Sequence, residues 1–397
     1  MSKQIQDAYI VAATRTPVAK RNGMFRSVRP DDMLAHVLKA VVAKVPGLDA
    51  TEIGDVVVGC AMPEAEQGMN VARIGLLLAG LPNTVPGITI NRFCSSGLQA
   101  VADAARIRLG EADVMIAAGT ESMSVMPQIM GNKISLNPAI FAHDENLAIA
   151  YGMGLTAEKV AQQWQISRDD QDAFAVESNR RAVAAIAAGA FRDEITPYLV
   201  SSYKPGEGGA VRVSERLCDT DEGPRADASP ATLGKLKPVF AARGSVTAGN
   251  SSQMSDGAGA VLLMSEAAVK RYGVTPIARF SSYAVAGVPP EVMGIGPVEA
   301  IPRALKAAGI AQDALDWIEL NEAFAAQALA VVRQLDLDPA KVNPQGGAIA
   351  LGHPLGATGV IRAATLMSAM QRGQARYGMI SMCIGTGMGA AGVFEKV

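Results

Sequence analysis

The chain has 397 residues, long enough for more than one core, with 49% hydrophobic and 19% charged residues. Its 36 basic and 38 acidic residues nearly cancel, and no Lys/Arg stripe is present, which argues against a nucleic-acid partner. No run of about 18 uninterrupted apolar residues occurs, so a membrane span is not expected.

The first expected element is a strand at Ala8–Ala13; residues 1–16 have neither the basic nor the apolar region of a signal peptide. Met33, Leu34, Val37, Leu38, Val41 and Val42 recur at helical spacing and predict a helix over 31–45. His36 falls on that helix as a partly exposed residue. Short strands follow at 55–58 and 87–90, then a helix over 97–109 and a buried strand over 113–118. Such alternation implies a layered α/β protein.

The pattern then repeats. Gly47-Leu48-Asp49 with the strand after it resembles Gly309-Ile310-Ala311 with its strand, an offset of 309 − 47 = 262 residues. Gly97 and Gly359, each opening a helix followed by a strand, share that offset. Two blocks with one offset argue for duplicated halves. The division expected is 1–119 and 244–271 for the first half, 272–397 for the second, and 120–243 for an insert. The insert holds an Ala-rich helix over 171–188, the polar stretch 201–209 and the charged stretch 219–227; long inserts often carry binding function.

Four cysteines, none in a CxxC pair, fit a reduced cytoplasmic protein and no zinc knuckle or other metal site. Cys94, in Asn91-Arg92-Phe93-Cys94-Ser95-Ser96-Gly97, sits where a strand turns into a helix. A helix N-terminus favours thiolate, although an inert buried cysteine is equally compatible with this turn. Of three histidines, His143 lies in a polar run without an evident partner, whereas His353 is crowded by glycines and followed by Pro354. Cys383 ends a strand and enters the loop Gly385-Thr386-Gly387-Met388-Gly389, which lacks the helix and acidic residue of a dinucleotide fingerprint. Asn321 ends the strand 317–320, where α/β sheets place ligands, and could equally cap the helix expected over 323–335.

NRFCSSGLQA, NEAFAAQA, GGAIALGHPLGATG and CIGTGMGAA, in this order, with GMGLTAE at 152–158 and GSVTAGNSSQMSDGA at 244–258, resemble the thiolases over nearly the whole chain. The resemblance implies a five-layered αβαβα core of two similar halves with an inserted loop domain. It implies thiolytic cleavage of a 3-ketoacyl-CoA by coenzyme A, a co-substrate and not a resident cofactor. Cys94 would carry the acyl group, His353 would act as its base, and Cys383 would protonate the departing carbanion. Asn321 would position a water in one oxyanion hole, and the N–H groups of Cys94 and Gly385 would form the other. Arg225, Ala248 and Ser252 match positions that contact CoA; Met153, Met293 and Phe324 match the acyl end. A homodimer or homotetramer is implied, with a hydratase/dehydrogenase partner conceivable. Acetoacetyl-CoA-specific members usually carry His-Met-Gly where this chain has Gly152-Met153-Gly154, which leans toward degradative members of broader chain length. A biosynthetic acetoacetyl-CoA thiolase, a ketoacyl synthase, a non-catalytic lipid carrier and a redox-sensing binder are the competing readings. The synthase would have a second histidine in place of Cys383, and the carrier would lack the catalytic set.

Overall fold

A computed structural model describes residues 5–125, 135–206, 208 and 210–397. The elements in chain order are β1 (Tyr9–Arg15), β2 (Ala19–Lys20), α1 (Pro30–Ala43), β3 (Ile53–Gly59), α2 (Val71–Leu78), β4 (Gly87–Ile90), α3 (Ser96–Ala104) and β5 (Val114–Ser122). The inserted region holds α4 (Met153–Gln163), α5 (Arg168–Ala187), the hairpin β6 (Tyr198–Pro205) and β7 (Val211–Cys218), and α6 (Pro230–Leu233). Then come β8 (Ser255–Met264), α7 (Glu266–Tyr272), β9 (Ala278–Gly287), α8 (Gly296–Ala308), β10 (Trp317–Leu320), α9 (Ala325–Gln334), α10 (Ala348–Leu351), α11 (Thr358–Gln371), β11 (Tyr377–Ile384) and β12 (Met388–Lys396).

The main strands run in the order β10-β11-β12-β9-β1-β8-β5-β3-β4. They form two wings joined by a short pairing of Tyr9 with Arg279 and Ile10 with Ala278. In one wing, β3 is parallel to β5, β5 antiparallel to β8, and β8 antiparallel to β1. The other repeats this with β10, β11, β12 and β9. The 262-residue offset recurs in the coordinates: α3 begins at Ser96 and α11 at Thr358.

Three apolar cores separate the layers. One lies between α1, α2 and the first wing, built on Leu34, Leu38, Val56 and Leu262. The central one packs Leu98, Val101, Val360 and Leu366 of α3 and α11 between the wings. The third sits between the second wing and α8 and α9, around Ile301, Val331 and Val393. The result is the expected five-layered αβαβα arrangement.

Local differences from the sequence-based expectations have plain causes. The helix expected over 97–109 is α only to Ala104 and continues as 3-10 turns to Leu109 before Gly110 turns left-handed. The helix expected from 323 starts at Ala325, with Phe324 as its N-cap, so Asn321 does not cap it. Within the polar stretch, residues 201–205 are strand, because β6 pairs with β7 from Tyr198–Cys218 to Pro205–Val211. No described helix is long and apolar enough to cross a membrane.

Candidate active site

Cys94 follows β4 on a tight turn. Phe93 is left-handed at φ 44°, a strained conformation for a bulky residue, and its N–H is held by Asn91 Oδ1 at 2.8 Å. Ser96 closes the turn by accepting from Arg92 N at 2.8 Å and donating to Phe93 O at 2.7 Å. The Cys94 sulfur meets the N–H groups of Gly385 and of Cys94 itself, which favour its thiolate. Burial outweighs them and pushes the thiol up to about 12. The thiolate expected from the helix N-terminus is therefore not the resting form.

His353 follows α10 and Gly352, whose φ of 93° and crowding by Ser255 and Val18 require glycine. The His353 N–H donates to Ser255 Oγ at 3.1 Å, Nδ1 lies 2.6 Å from Thr358 Oγ1, and Nε2 lies 3.4 Å from Asn321 Nδ2. Burial, aided by the Arg362 charge, holds the imidazole near 3, so it is neutral at physiological pH. Parallel pairing of Leu320 with Ser381 brings the ends of β10 and β11 together, placing Asn321 Nδ2 4.0 Å from Cys383 Sγ. Asn321 Oδ1 is buried with no hydrogen-bond partner. Burial first, and the neighbouring Cys94 second, push the Cys383 thiol well above its ordinary range. Cys94, His353, Cys383, Asn321 and Gly385 thus converge, although they come from four separate segments: the turns after β4 and β10, the loop after α10, and the end of β11.

One wall is apolar. Met293, Phe324, Ala323, Ala157 and Val246 pack with Cys383, and Met153 joins them. A Cβ on Gly385 would stand 3.4 Å from Met153 Sδ. Gly152 caps α4, and nothing lies within 4 Å of where its Cβ would be. Ser252 borders this wall, its N–H donating to Ala323 O at 2.9 Å. Arg225 and Ala248 are exposed; the Arg225 guanidinium pairs with Asp227 at 3.2 Å, and among the described residues no hydrogen bond joins either to the sulfurs.

Several participants were not singled out by the sequence. Glu121, fully buried, accepts from Ala61 N at 2.7 Å, Gly356 N at 2.8 Å and the Gln67 amide. Ala61 O in turn accepts from Asn91 Nδ2 at 3.0 Å, so one carboxylate ties the Cys94 turn to the His353 loop. Subtracting the repeat offset from Cys383 lands on Glu121 (383 − 262 = 121), a signal available in the sequence. Phe240 stacks edge-on against Phe324, with ring centroids 6.0 Å apart, and Thr358 and Arg362 flank His353 from α11. Thr358 lies within the GGAIALGHPLGATG stretch without being singled out there; nothing local in the sequence marks Phe240 or Arg362.

The chemistry available is nucleophilic attack by a buried thiol, with a neutral imidazole as base, a second thiol as acid and paired N–H groups facing the first sulfur. Comparison with known proteins gives the family. Residues 8–267 match the thiolase N-terminal domain and residues 274–396 the thiolase C-terminal domain. A 3-ketoacyl-CoA thiolase of Bacillus subtilis is 50% identical over 98% of this chain and 100% of its own. An acetyl-CoA acetyltransferase of Pseudomonas aeruginosa is 46% identical over 98% of each chain. The dimeric peroxisomal thiolase of Saccharomyces cerevisiae superposes with a TM-score of 0.89 at 39% identity, covering 100% of this chain and 99% of that one. The strand order, the paired thiols and these full-length likenesses lead to one conclusion: the chain belongs to the thiolase family of acyltransferases.

Proposed function

We propose that the protein is a degradative 3-ketoacyl-CoA thiolase, acting in fatty-acid β-oxidation and working ping-pong through an acyl-Cys94 intermediate. The observation that carries this reading is the meeting of two buried thiols with a neutral His353 beside an apolar wall of Met153, Met293 and Phe324. His353 Nε2 takes the Cys94 proton as the sulfur attacks the 3-keto carbon. Neither group is poised alone: the thiol holds its proton until about 12 and the imidazole gains one only near 3. Transfer is therefore coupled to attack, when the growing oxyanion and the polar substrate replace lost solvation.

The C2–C3 bond then breaks, its electron pair passing to an acetyl-CoA enolate. Cys383 protonates C2, and acetyl-CoA leaves. Incoming CoA gives its thiol proton to Cys383 and attacks the acyl-Cys94 thioester; the Cys94–acyl bond breaks, the leaving Cys94 sulfur takes back the proton held on His353, and the shortened acyl-CoA departs. Asn321 and His353 would serve one oxyanion, with a water held by the Asn321 amide; the N–H groups of Cys94 and Gly385 would serve the other. Ser252, Ala248 and Arg225 mark a path for CoA from the site to the surface, past the inserted segment 120–243. An exposed arginine at its outer end suits a phosphate.

A homodimer or homotetramer fits the exposed Leu77, Leu78 and Ile88 around the edge strand β4. Four free cysteines suit a reducing compartment such as the cytoplasm.

Glycine at 152, next to Met153 of the apolar wall, leaves no polar side chain there and favours longer substrates, since each methylene buried against that wall contributes about 0.8 kcal/mol. We expect kcat/KM for 3-ketohexanoyl-CoA to equal or exceed that for acetoacetyl-CoA by up to about fourfold, if half of two methylenes' burial is realised in the transition state. Peptide mapping after acetyl-CoA treatment should place the acetyl group on Cys94. A monotonic fall beyond four carbons would make the enzyme acetoacetyl-specific. A label on Cys60 or Cys218 would remove the nucleophile assignment.

A further inference from the structure

The repeat offers an internal comparison. Ser96 opens α3 and Thr358 opens α11, 262 residues later, so the two hydroxyls occupy equivalent positions. Ser96 uses its oxygen in both directions: it donates to a carbonyl of the preceding turn, Phe93 O at 2.7 Å, and accepts the N–H of Arg92 at 2.8 Å. The residue equivalent to Arg92 is Pro354, which has no N–H to give. The Thr358 hydroxyl still has a backbone acceptor, Pro354 O at 3.1 Å. Its own acceptor capacity is left free, and the group within reach of it is His353 Nδ1, at 2.6 Å.

We propose that Thr358 is a positioning residue that holds His353 as the Nδ1–H tautomer, leaving the Nε2 lone pair turned toward the reacting sulfurs. This deepens the assignment of His353 as the base and rests on it. Thr358 has one hydroxyl hydrogen. With that hydrogen on Pro354 O, the short contact to Nδ1 requires the imidazole to be the donor. A buried Nδ1–H without an acceptor would be costly, and Thr358 Oγ1 supplies one. On the other side of the ring, Asn321 Nδ2 stands 3.4 Å from Nε2, which places a donor opposite an unprotonated nitrogen. The opposite tautomer would set Nε2–H against that donor and could not accept the Cys94 proton. The proline thus has a chemical consequence: by withdrawing the backbone donor that occupies Ser96 in the first half, it frees the equivalent hydroxyl for the histidine.

The test is nitrogen NMR on the full protein labelled with 15N-histidine. Only three histidines contribute, and the His353 signals are those absent from H353N. The wild type should show a protonated Nδ1 and an unprotonated Nε2. T358V removes the hydroxyl at nearly constant shape; it should move the ring toward Nε2–H and lower kcat by about 10- to 100-fold with KM within about twofold. T358S should restore both the tautomer and most of kcat. A wild-type Nε2–H signal, or a T358V tautomer unchanged from the wild type, would overturn the proposal. So would a T358V enzyme whose tautomer shifts while kcat stays within about twofold of the wild type, since the positioning role requires both to move. If the wild type cleaved no 3-ketoacyl-CoA, the function proposed above would fail, while the resonances would still decide the tautomer.

Discussion

At the scale of single residues, the site depends on burial more than on formal charge. Cys94, Cys383 and His353 are all held in their neutral forms by desolvation, against the pull of nearby N–H donors on the thiols. For His353 this has a consequence for stability. Its folded value, about 3, lies below the ordinary 6.5, so in acid the unfolded chain takes up a proton that the folded imidazole refuses. The contribution is fully present above pH 6.5 and is lost as pH falls toward the folded value. H353Q should therefore show a shallower loss of urea midpoint than the wild type between about pH 6.5 and 4, by up to one proton's worth of slope. Parallel curves would mean that the ring is hydrated or charged in the native state.

At the scale of elements, the close approach of α3 and α11 brings the two halves' chemistry together. A Cβ on Gly359 would overlap the backbone of Gly97 and Leu98; one on Gly97 would sit 2.8 Å from Val360 N. Both obstacles are main chain, which cannot rotate aside. The turn bearing Cys94 enters α3 directly, and the loop bearing His353 enters α11, so the spacing of these helices sets the spacing of thiol and imidazole. G359A should cost about 1–3 kcal/mol in urea unfolding, the usual range for overpacking a core, and lower kcat more than a surface change of equal cost. Wild-type stability would show that the helices can separate without penalty. Glycine at both positions is thus explained by contact, whereas the helical periodicity around them reveals only that these helices are buried.

On the scale of the whole molecule, the insert is anchored to the core by a buried ion cluster. Arg15 at the end of β1 holds Asp221 through two hydrogen bonds of 2.7 and 2.9 Å and Glu194 at 2.7 Å, all with side chains nearly inaccessible. Its guanidinium also stacks on Phe191, 5.2 Å from the ring centroid. Asp221 in turn accepts from Val18 N at 2.8 Å, so the segment leading to Arg225 is fixed against β1. D221A should destabilise the protein by about 3–5 kcal/mol, because Arg15 would keep a buried charge with half its compensation. D227A, which removes the exposed partner of Arg225, should leave the unfolding midpoint unchanged, since solvent screens that pair. Equal effects from the two would show that the cluster is open to water.

Much of this was legible in the sequence, and the rest was not, for identifiable reasons. Periodicity located α1 and β3 within a few residues, because each buries one face or one run of apolar side chains; the Ala-rich run over 171–188 and the short run at 87–90 fell on α5 and β4. The 262-residue repeat survived in the chain because duplicated halves keep the same turns before the same helices; the layered fold came from the alternation of strands and helices, and its five layers from the family resemblance. Glycine density around His353 and Cys383 marked where backbone must pass close to something. The sequence could not say which charges those groups carry, since protonation follows burial and burial follows from the packing of distant elements. Nor could it show Glu121 tying the Cys94 turn to Gly356, 235 residues away beside His353, or the Thr358 hydroxyl meeting the imidazole. The families of residues able to do the chemistry were thus determined by the sequence alone. Their protonation states, their partners and the spacing between them were decided by tertiary structure, because only the folded chain sets the local dielectric and the distances on which those properties depend.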